Sequence, residues 1–459
     1  MNLHVVVLTA YSLVLLAIGL WIGRRVRASS DFFVAGRQLG PGLIFATMLA
    51  ANIGAGSTVG ATSSGYVNGV EAWWWVGSAA VGSTILAFAI GPRMRAIAAA
   101  HNLQTVGDFL EFRFDRTVRA AIAVLLWLGS TFILASQLLG LGWILEVVAH
   151  IPRALGCAAG GLLIVVYFAS GGLLTAAWVN VVQLTVKLVG FAVAVPLAIN
   201  SIGGIDRVLS VNAGDTSFWT FWRVDAGGML NLVLLAPAFV VSPGLLQKVY
   251  GARDDRAVRL GVGLNALGLF AYAGVPALLG IIARGQYPDL AAPDLALPTV
   301  FVSSLPPVAG ALGLAAVFSA ELSAADASLF MLTTSLSQDL YKRFVRPDAS
   351  EQQVLWMARV ATILSGSLAI GIALLSESVL RTLTVFYTLL GVSLFVPIVA
   401  GLYSPRTSSR VALVSIAAGV VAMLTAYVAT GGAGWGMMTP ALVGLSSAIA
   451  AWAVGLLRF

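Results

Sequence analysis

Lys187 stands in the middle of an apolar run, between Thr185-Val186 and Leu188-Val189-Gly190-Phe191. Hydropathy predicts a membrane helix there, over about residues 174–199. A cation at mid-bilayer costs on the order of 2.5–3.5 kcal/mol on insertion scales, so it normally faces a cavity or a partner. Snorkelling to the interface is the alternative, and the central position of Lys187 argues against it. Asn180 lies two helical turns earlier, on the same face. Two acids, Glu321 and Asp326, fall inside another predicted helix, over about residues 307–337. Each is a candidate partner for Lys187 or a proton carrier. Bond-breaking chemistry would need clustered nucleophiles, His ligands or paired acids at membrane depth, and no such constellation is present. Cys157 is the single cysteine, which excludes an intramolecular disulfide and a Cys-based metal cluster. His4, His101 and His150 are scattered near predicted helix ends, without ligand spacing. These residues describe a carrier rather than an enzyme.

The elements that must hold them are membrane helices. Of 459 residues, 59% are hydrophobic and 10% charged, against roughly 25% charged in soluble domains. Such a chain lacks the charges to cover a soluble surface. The 49 glycines suit close helix packing in lipid. Hydropathy predicts about thirteen helices, near 3–23, 40–60, 70–92, 117–148, 154–171, 174–199, 228–248, 257–283, 307–337, 353–376, 380–403, 409–430 and 436–457. The longest connection, near 200–227, is too short for a soluble domain. No basic, aromatic-bearing soluble domain exists for nucleic acid. The first helix lacks a basic lead and is followed by arginines, unlike a cleavable signal peptide.

Loop charge alternates. Arg24, Arg25, Arg27 and Arg37 follow the first helix, and Arg93, Arg95, Arg113, Arg116 and Arg119 surround the third-to-fourth connection. Arg253, Arg256 and Arg259, then Lys342, Arg343 and Arg346, then Arg406 and Arg410 continue the pattern. The intervening loops carry Glu71, Asp206, Asp215, Asp225, Asp289 and Asp294. The positive-inside rule places the N-terminus outside and the C-terminus in the cytoplasm of a multi-pass inner-membrane protein. The formal net charge of +7 makes anionic lipid its natural surround. No obligate protein partner is evident.

Two predicted helices are interrupted. One carries Ala50-Ala51-Asn52-Ile53-Gly54-Ala55-Gly56-Ser57-Thr58, the other Pro237 and then Ser242-Pro243-Gly244. Unwound backbone is tolerated at membrane depth where it lines a cavity, and paired interruptions point to a transport site. Candidate substrate contacts near them are Ser57, Thr58, Gln183, Ser242, Tyr387 and Thr388; each alone also suits an interhelical hydrogen bond. Trp73, Trp74 and Trp75 suit an aromatic belt.

The chain resembles the sodium:solute symporter family. The resemblance is carried by Phe32-Phe33-Val34-Ala35-Gly36-Arg37-Gln38-Leu39-Gly40, Ala51-Asn52-Ile53 and Ser64-Gly65-Tyr66. Thr105-Val106-Gly107-Asp108-Phe109-Leu110 with Arg113-Phe114 carries it further, Asp108 replacing a Glu. So do Gly171-Gly172-Leu173 with Trp178 and Gln183, and Ser323-Ala324-Ala325-Asp326 followed by Asp339-Leu340-Tyr341-Lys342. The resemblance implies an all-α integral membrane fold with a five-plus-five inverted-repeat core over residues 40–403. Residues 1–39 then form a peripheral first helix and lead-in, and 404–459 two peripheral helices. It implies alternating-access transport of a small solute, and a sodium ion held by carbonyls of Ala50, Ile53 and Ala320 and by the Ser323 hydroxyl.

Two departures stand out. Ala324 replaces a family Ser or Thr, and Asn180 replaces an Asp, removing an oxygen ligand and a negative charge. Sodium-coupled uptake is the leading expectation. The alternatives are a proton-coupled or uncoupled carrier in which Lys187 replaces sodium, and a solute-sensing receptor. The receptor reading lacks an output module, because the chain ends at Phe459 just after its last helix. Gly56 and Ser57 occupy positions where sugar carriers place an acid and an amide, which argues against a sugar. The charge of Lys187 suggests a small carboxylate-bearing solute.

Overall fold

The computed structural model describes residues 3–23, 37–168, 172–223 and 228–458. Phe32 to Gly36, the arginines at 24, 25 and 27, Gly171, Asp225 and the side chain of Trp178 lie outside the described residues. Helices follow one another almost without interruption: α1 (Leu3–Gly23), α2 (Pro41–Asn52), α3 (Val59–Asn68), α4 (Trp73–Ile85) and α5 (Gly91–Ala100). Then come α6 (Val106–Arg113), α7 (Arg116–Ala149), α8 (Arg153–Phe168) and α9 (Gly172–Ser201). The second half holds α10 (Leu230–Val241), α11 (Pro243–Tyr250), α12 (Asp255–Tyr272), α13 (Gly274–Gln286), α14 (Ala296–Ser303) and α15 (Pro307–Thr334). It ends with α16 (Glu351–Leu375), α17 (Val379–Tyr403), α18 (Ser409–Thr430) and α19 (Pro440–Arg458).

Among the described residues, ten helical runs are long and apolar enough to cross a membrane. Leu3–Ile18, Pro41–Asn52 and Arg153–Val166 are shorter apolar stretches among the described residues, although the first belongs to α1, whose 21 residues from Leu3 to Gly23 match the expected span. For Pro41–Asn52 the cause is the break itself, which divides one span into α2 and α3. Other boundaries move by a few residues. The third span continues from α4 through a π-wound turn, Leu86–Ile90, into α5. There Pro92 lacks the N–H that a regular turn would use.

Both interruptions have local causes. In the first, Ile53 and Gly54 are extended, and a single 3-10 turn, Ala55–Ser57, leads to Thr58 at the start of α3. Gly54 is required by close approach: a Cβ there would lie 2.4 Å from the Ala324 Cβ and 2.7 Å from Gln137 Oε1. In the second, Pro243 opens α11 and holds Ser242 extended at φ −55°, ψ 120°. In the core, α9 lies along α15, and both meet α2; α7 packs on α15 and α17; α4 packs on α10. α1 rests outside on α15, and α18 pairs with α19. The interior so formed is continuous and apolar, and the two breaks sit inside it.

Candidate functional site

An unwound segment leaves carbonyls without helical partners, and at the first break those of Ala50 and Ile53 point at α9. Lys187 Nζ meets them. It donates to Ala50 O at 2.5 Å, to Ile53 O at 3.0 Å and to Ser323 Oγ at 2.5 Å. An ammonium has three protons, and each finds an oxygen. The Ser323 hydroxyl is 2.7 Å from Ala50 O and 3.1 Å from Ala320 O. Lys187 and Ser323 are fully buried. Thus Ala50, Ile53, Ala320 and Ser323, the oxygens the family resemblance assigns to sodium, come together with Nζ among them. Asn180 is buried on the same helix, its Oδ1 without a hydrogen bond among the described residues. Glu321 and Asp326 are buried on α15, and their charges act on Lys187. A second lysine, Lys248 on α11, is also buried, and its Nζ lacks a hydrogen-bond partner among the described residues. It falls at the end of its predicted helix, where lysines ordinarily reach water, and so gave no sequence signal.

Beside the first break lies a cavity of about 30 Å³, enough for one or two waters and too small for a solute. Asn52, Gly54, Ser57, Gln137 and Ala324 line one side, and Trp75, Phe239, Leu383 and Tyr387 the other. Of the expected substrate contacts, Ser57 and Tyr387 face this cavity; Thr58, Gln183, Ser242 and Thr388 stand off it. Thr58 turns instead to Gly54 O and Glu321 Oε1, both at 2.9 Å. The backbone of Gln183 accepts from Ser319. The Ser242 carbonyl caps the start of α11 by accepting from Leu245 and Leu246. Thr388 is buried within α17, one position past Tyr387, and so points away.

The aromatic-belt reading fails for Trp75. Successive helical residues are 100° apart, so three tryptophans in a row cannot share a face. Trp73 and Trp74 pack against Phe221, while Trp75 meets the Tyr387 ring edge-on at 6.2 Å. Gln137, not singled out from sequence, accepts the Ala55 N–H at 2.8 Å and so satisfies an orphan of the break. Asn52 donates to Asn265 on α12 at 3.1 Å. No charged side chain lines the cavity among the described residues, and Lys187 is saturated elsewhere, which removes the reason for expecting a carboxylate-bearing solute.

Two sequence motifs meet at one end of the molecule. Thr105 and Asp108 form a capping box for α6. Thr105 Oγ1 also donates to Asp339 Oδ1 at 2.7 Å. Arg119, nearly buried, bridges Asp108 at 2.9 Å, Glu111 at 3.0 Å and Asp339 at 2.7 Å, and Arg343 pairs with Glu111. The sequence suggested basic loops here and, through the family resemblance, the two motifs, but not that they meet.

A bundle of apolar helices with two breaks beside an interior cavity is the architecture of a membrane transporter. Comparison makes the class specific: residues 32–419 match the model of the sodium:solute symporter family, and the chain belongs to that family. The high-affinity choline transporter 1 of Caenorhabditis elegans is 26% identical, over 92% of this chain and 77% of that one. The sodium/pantothenate symporter of Escherichia coli K12 is 27% identical, over 92% and 90%. The sodium/glucose cotransporter of Vibrio parahaemolyticus is 23% identical, over 91% and 84%. A solved Na⁺-coupled sialic acid symporter in a substrate-bound outward-open state superposes with a TM-score of 0.83 at 19% identity, over 100% and 98%. The fold is thus the all-α inverted-repeat transporter fold, and the protein is a multi-pass secondary transporter.

Proposed function

We propose that this transporter carries a small solute without sodium, the Lys187 ammonium standing in for the ion. The single observation that supports this is the saturation of Nζ by Ala50 O, Ile53 O and Ser323 Oγ. Sodium is a hard cation that takes oxygens, and here those oxygens are already engaged by a tethered cation. A second positive charge within about 4–6 Å of an ammonium is repelled. Ala324 and Asn180 act in the same direction, as does buried Lys248. Proton coupling then follows if Lys187 or a neighbouring acid titrates during the cycle; otherwise the carrier is uncoupled. The solute is recognised through the faces of Trp75, Phe239 and Tyr387 rather than by a charged side chain. The Trp75 indole N–H and the Tyr387 hydroxyl, which have no hydrogen-bond partner among the described residues, offer it donors.

The test is uptake into proteoliposomes of labelled choline, pantothenate and glucose, the solutes named for relatives. Sodium is replaced by N-methylglucamine, and the external pH is set to about 6 and about 8. Uptake unchanged by sodium removal supports the proposal. Strict sodium dependence, retained in Lys187→Ala, overturns it.

A further inference from the structure

The first break leaves part of the cavity wall without hydrogen bonds. In a continuous helix the Ala55 N–H would serve Ala51 O, four residues earlier; here it goes to Gln137 Oε1 at 2.8 Å. Ala51 lines the cavity, and its carbonyl accepts no hydrogen bond from the described residues. Asn52 lies next to it on the same wall. Its Nδ2 donates to Asn265 Oδ1 at 3.1 Å. Asn265, fully buried, donates its own Nδ2 to Ser83 Oγ at 3.3 Å. This relay holds the amide nitrogen of Asn52 toward α12 and frees its Oδ1 for the cavity. The amide cannot reverse without setting Oδ1 against the Oδ1 of Asn265. The other polar groups of this wall are engaged. Ser57 Oγ accepts from Gly54 N at 3.0 Å and donates to Asn52 O at 2.9 Å. Gln137 Nε2 donates to Ile133 O at 3.2 Å and to Ser136 Oγ at 3.1 Å, which uses both of its protons. Across the cavity the Trp75 indole N–H and the Tyr387 hydroxyl remain without partners among the described residues. The indole nitrogen lies alongside the break, since a Cβ on Gly56 would come within 3.2 Å of it.

Two acceptors thus stand on one wall, Ala51 O and Asn52 Oδ1, and two donors on the other, with no charged side chain among the described lining residues. Alternating access opens such a cavity to one side at a time, and these atoms then meet the solute. Two acceptors call for two protons, and two donors call for an oxygen with two lone pairs. A carboxylate or a ketone brings no proton to the acceptors. A quaternary ammonium brings neither a proton nor a lone pair. A primary carboxamide or a urea carries an NH₂ and a carbonyl oxygen in one plane, and that plane suits the ring faces of Trp75, Phe239 and Tyr387. We propose that the solute is a small neutral molecule bearing a carboxamide or urea group, and that Asn265 is the positioning residue that makes Asn52 an acceptor for its N–H. A site built to hydrogen-bond a donor rejects analogues that lack it, because its own buried groups are then left unpaired. The proposal deepens the carrier reading and rests on it for where the solute binds; it is indifferent to sodium.

The test titrates the full chain in lipid nanodiscs with matched probes, binding being followed by ligand-observed NMR with the signal of empty nanodiscs subtracted. Benzamide, benzoate, acetophenone and benzyl alcohol share one ring; acetamide, acetate, acetone and ethanol share a smaller frame. Expected is an amide that binds about tenfold or more tightly than the other members of its set, equally in sodium chloride and in N-methylglucamine chloride. Asn265→Leu lets Asn52 rotate and should bring that preference to within about threefold. Asn265→Asp keeps an acceptor for Asn52 Nδ2 and should restore it. A merely structural role for Asn265 would lower the unfolding midpoint and leave the ratio of affinities alone. Ser83→Ala loosens the relay from its far end and serves if Asn265→Leu does not fold. The proposal is overturned if no probe binds, if the parent prefers the carboxylate, the ketone or the alcohol, or if the amide preference is unchanged in the folded relay variant. An amide preference that appears only with sodium supports this proposal and defeats the Lys187 reading. Sodium-independent uptake without an amide preference defeats this proposal and leaves the carrier reading intact.

Discussion

At the scale of single residues, the site is defined by how completely one side chain can satisfy another's broken backbone. Lys187 reaches two carbonyls left without helical partners and one hydroxyl, so neither the amine nor the break carries an unmet hydrogen bond there. That arrangement predicts a conversion. Lys187→Ala vacates the oxygens, and Ala324→Ser restores the hydroxyl that the family places beside Ser323. The double variant should bind sodium and be stabilised by it, whereas the parent should not. A site saturated at about a hundred times its dissociation constant gains about 2.7 kcal/mol. The measurement is thermal unfolding in sodium chloride against N-methylglucamine chloride at equal ionic strength; equal melting in both salts for the double variant rejects the idea. The chemistry of Lys187 was legible in the sequence because a mid-helix cation is conspicuous among apolar neighbours. Its target was legible only through the resemblance, because nothing in local spacing says that Ala50 and Ile53 bare their carbonyls. The role of Thr58 was not legible: its hydroxyl is claimed by Glu321, 263 positions away.

At the scale of elements, the ends of the helices are tied by buried polar groups. At one end Arg119 ties α6 and α7 to the π-wound extension of α15, Ser335–Val345. Removing one partner of such a buried cluster leaves the acids uncompensated, at a cost of about 3–5 kcal/mol. Arg119→Ala should therefore lower the unfolding midpoint strongly, and Arg119→Lys should recover part of the loss. A midpoint unchanged in Arg119→Ala would show the cluster to be exposed to water. At the other end, Asp294 accepts the Val379 N–H at 3.1 Å and so pins the loop before α14 to the start of α17. Burial raises the Asp294 carboxyl above its ordinary value. Its docked, burial-raised form binds a proton more readily than the undocked form. Docking is thus strongest below the ordinary carboxylate range and weakens as pH rises through the raised value. Asp294→Asn, which keeps an acceptor for Val379, should make docking insensitive to pH. Hydrogen exchange at the Val379 amide, corrected for intrinsic rates, measures this. An identical pH dependence in parent and variant would remove Asp294 from the account. The helices themselves were legible from hydropathy within a few residues. These ties were not, since Asp294 and Arg119 look in the sequence like ordinary loop charges.

At the scale of the whole molecule, the ties report orientation independently of any count of spans. Arg37 donates to the carbonyls of Tyr250 and Leu103, Arg95 pairs with Asp255, Arg113 donates to the carbonyls of Gly401 and Ser404, and Arg119 reaches Asp339. Five basic stretches that are distant in sequence therefore meet at one end. The opposite end gathers Glu71 with Arg223, Tyr66 with the carbonyls of Tyr287 and Pro288, and Asp294 with Val379. His4 adjoins Gly310 near the start of α15, since a Cβ on Gly310 would lie 3.3 Å from its Nε2; the N-terminus thus belongs to the less basic end. Near the C-terminus, Trp452 donates to Thr407 at 3.0 Å, and a Cβ on Gly455 would meet Val411 at 2.8 Å, beside Arg406 and Arg410. Short loops rich in Lys and Arg remain cytoplasmic. The prediction is an external N-terminus and a cytoplasmic C-terminus. A reporter that works only in the cytoplasm, fused after residue 459, should be active, and one that needs export should be silent. Moving the fusion to residue 433, in the turn between α18 and α19, should invert both signals. Active exported reporter at 459 would mean that the basic end faces outward, and that the charge asymmetry of this chain does not set its topology.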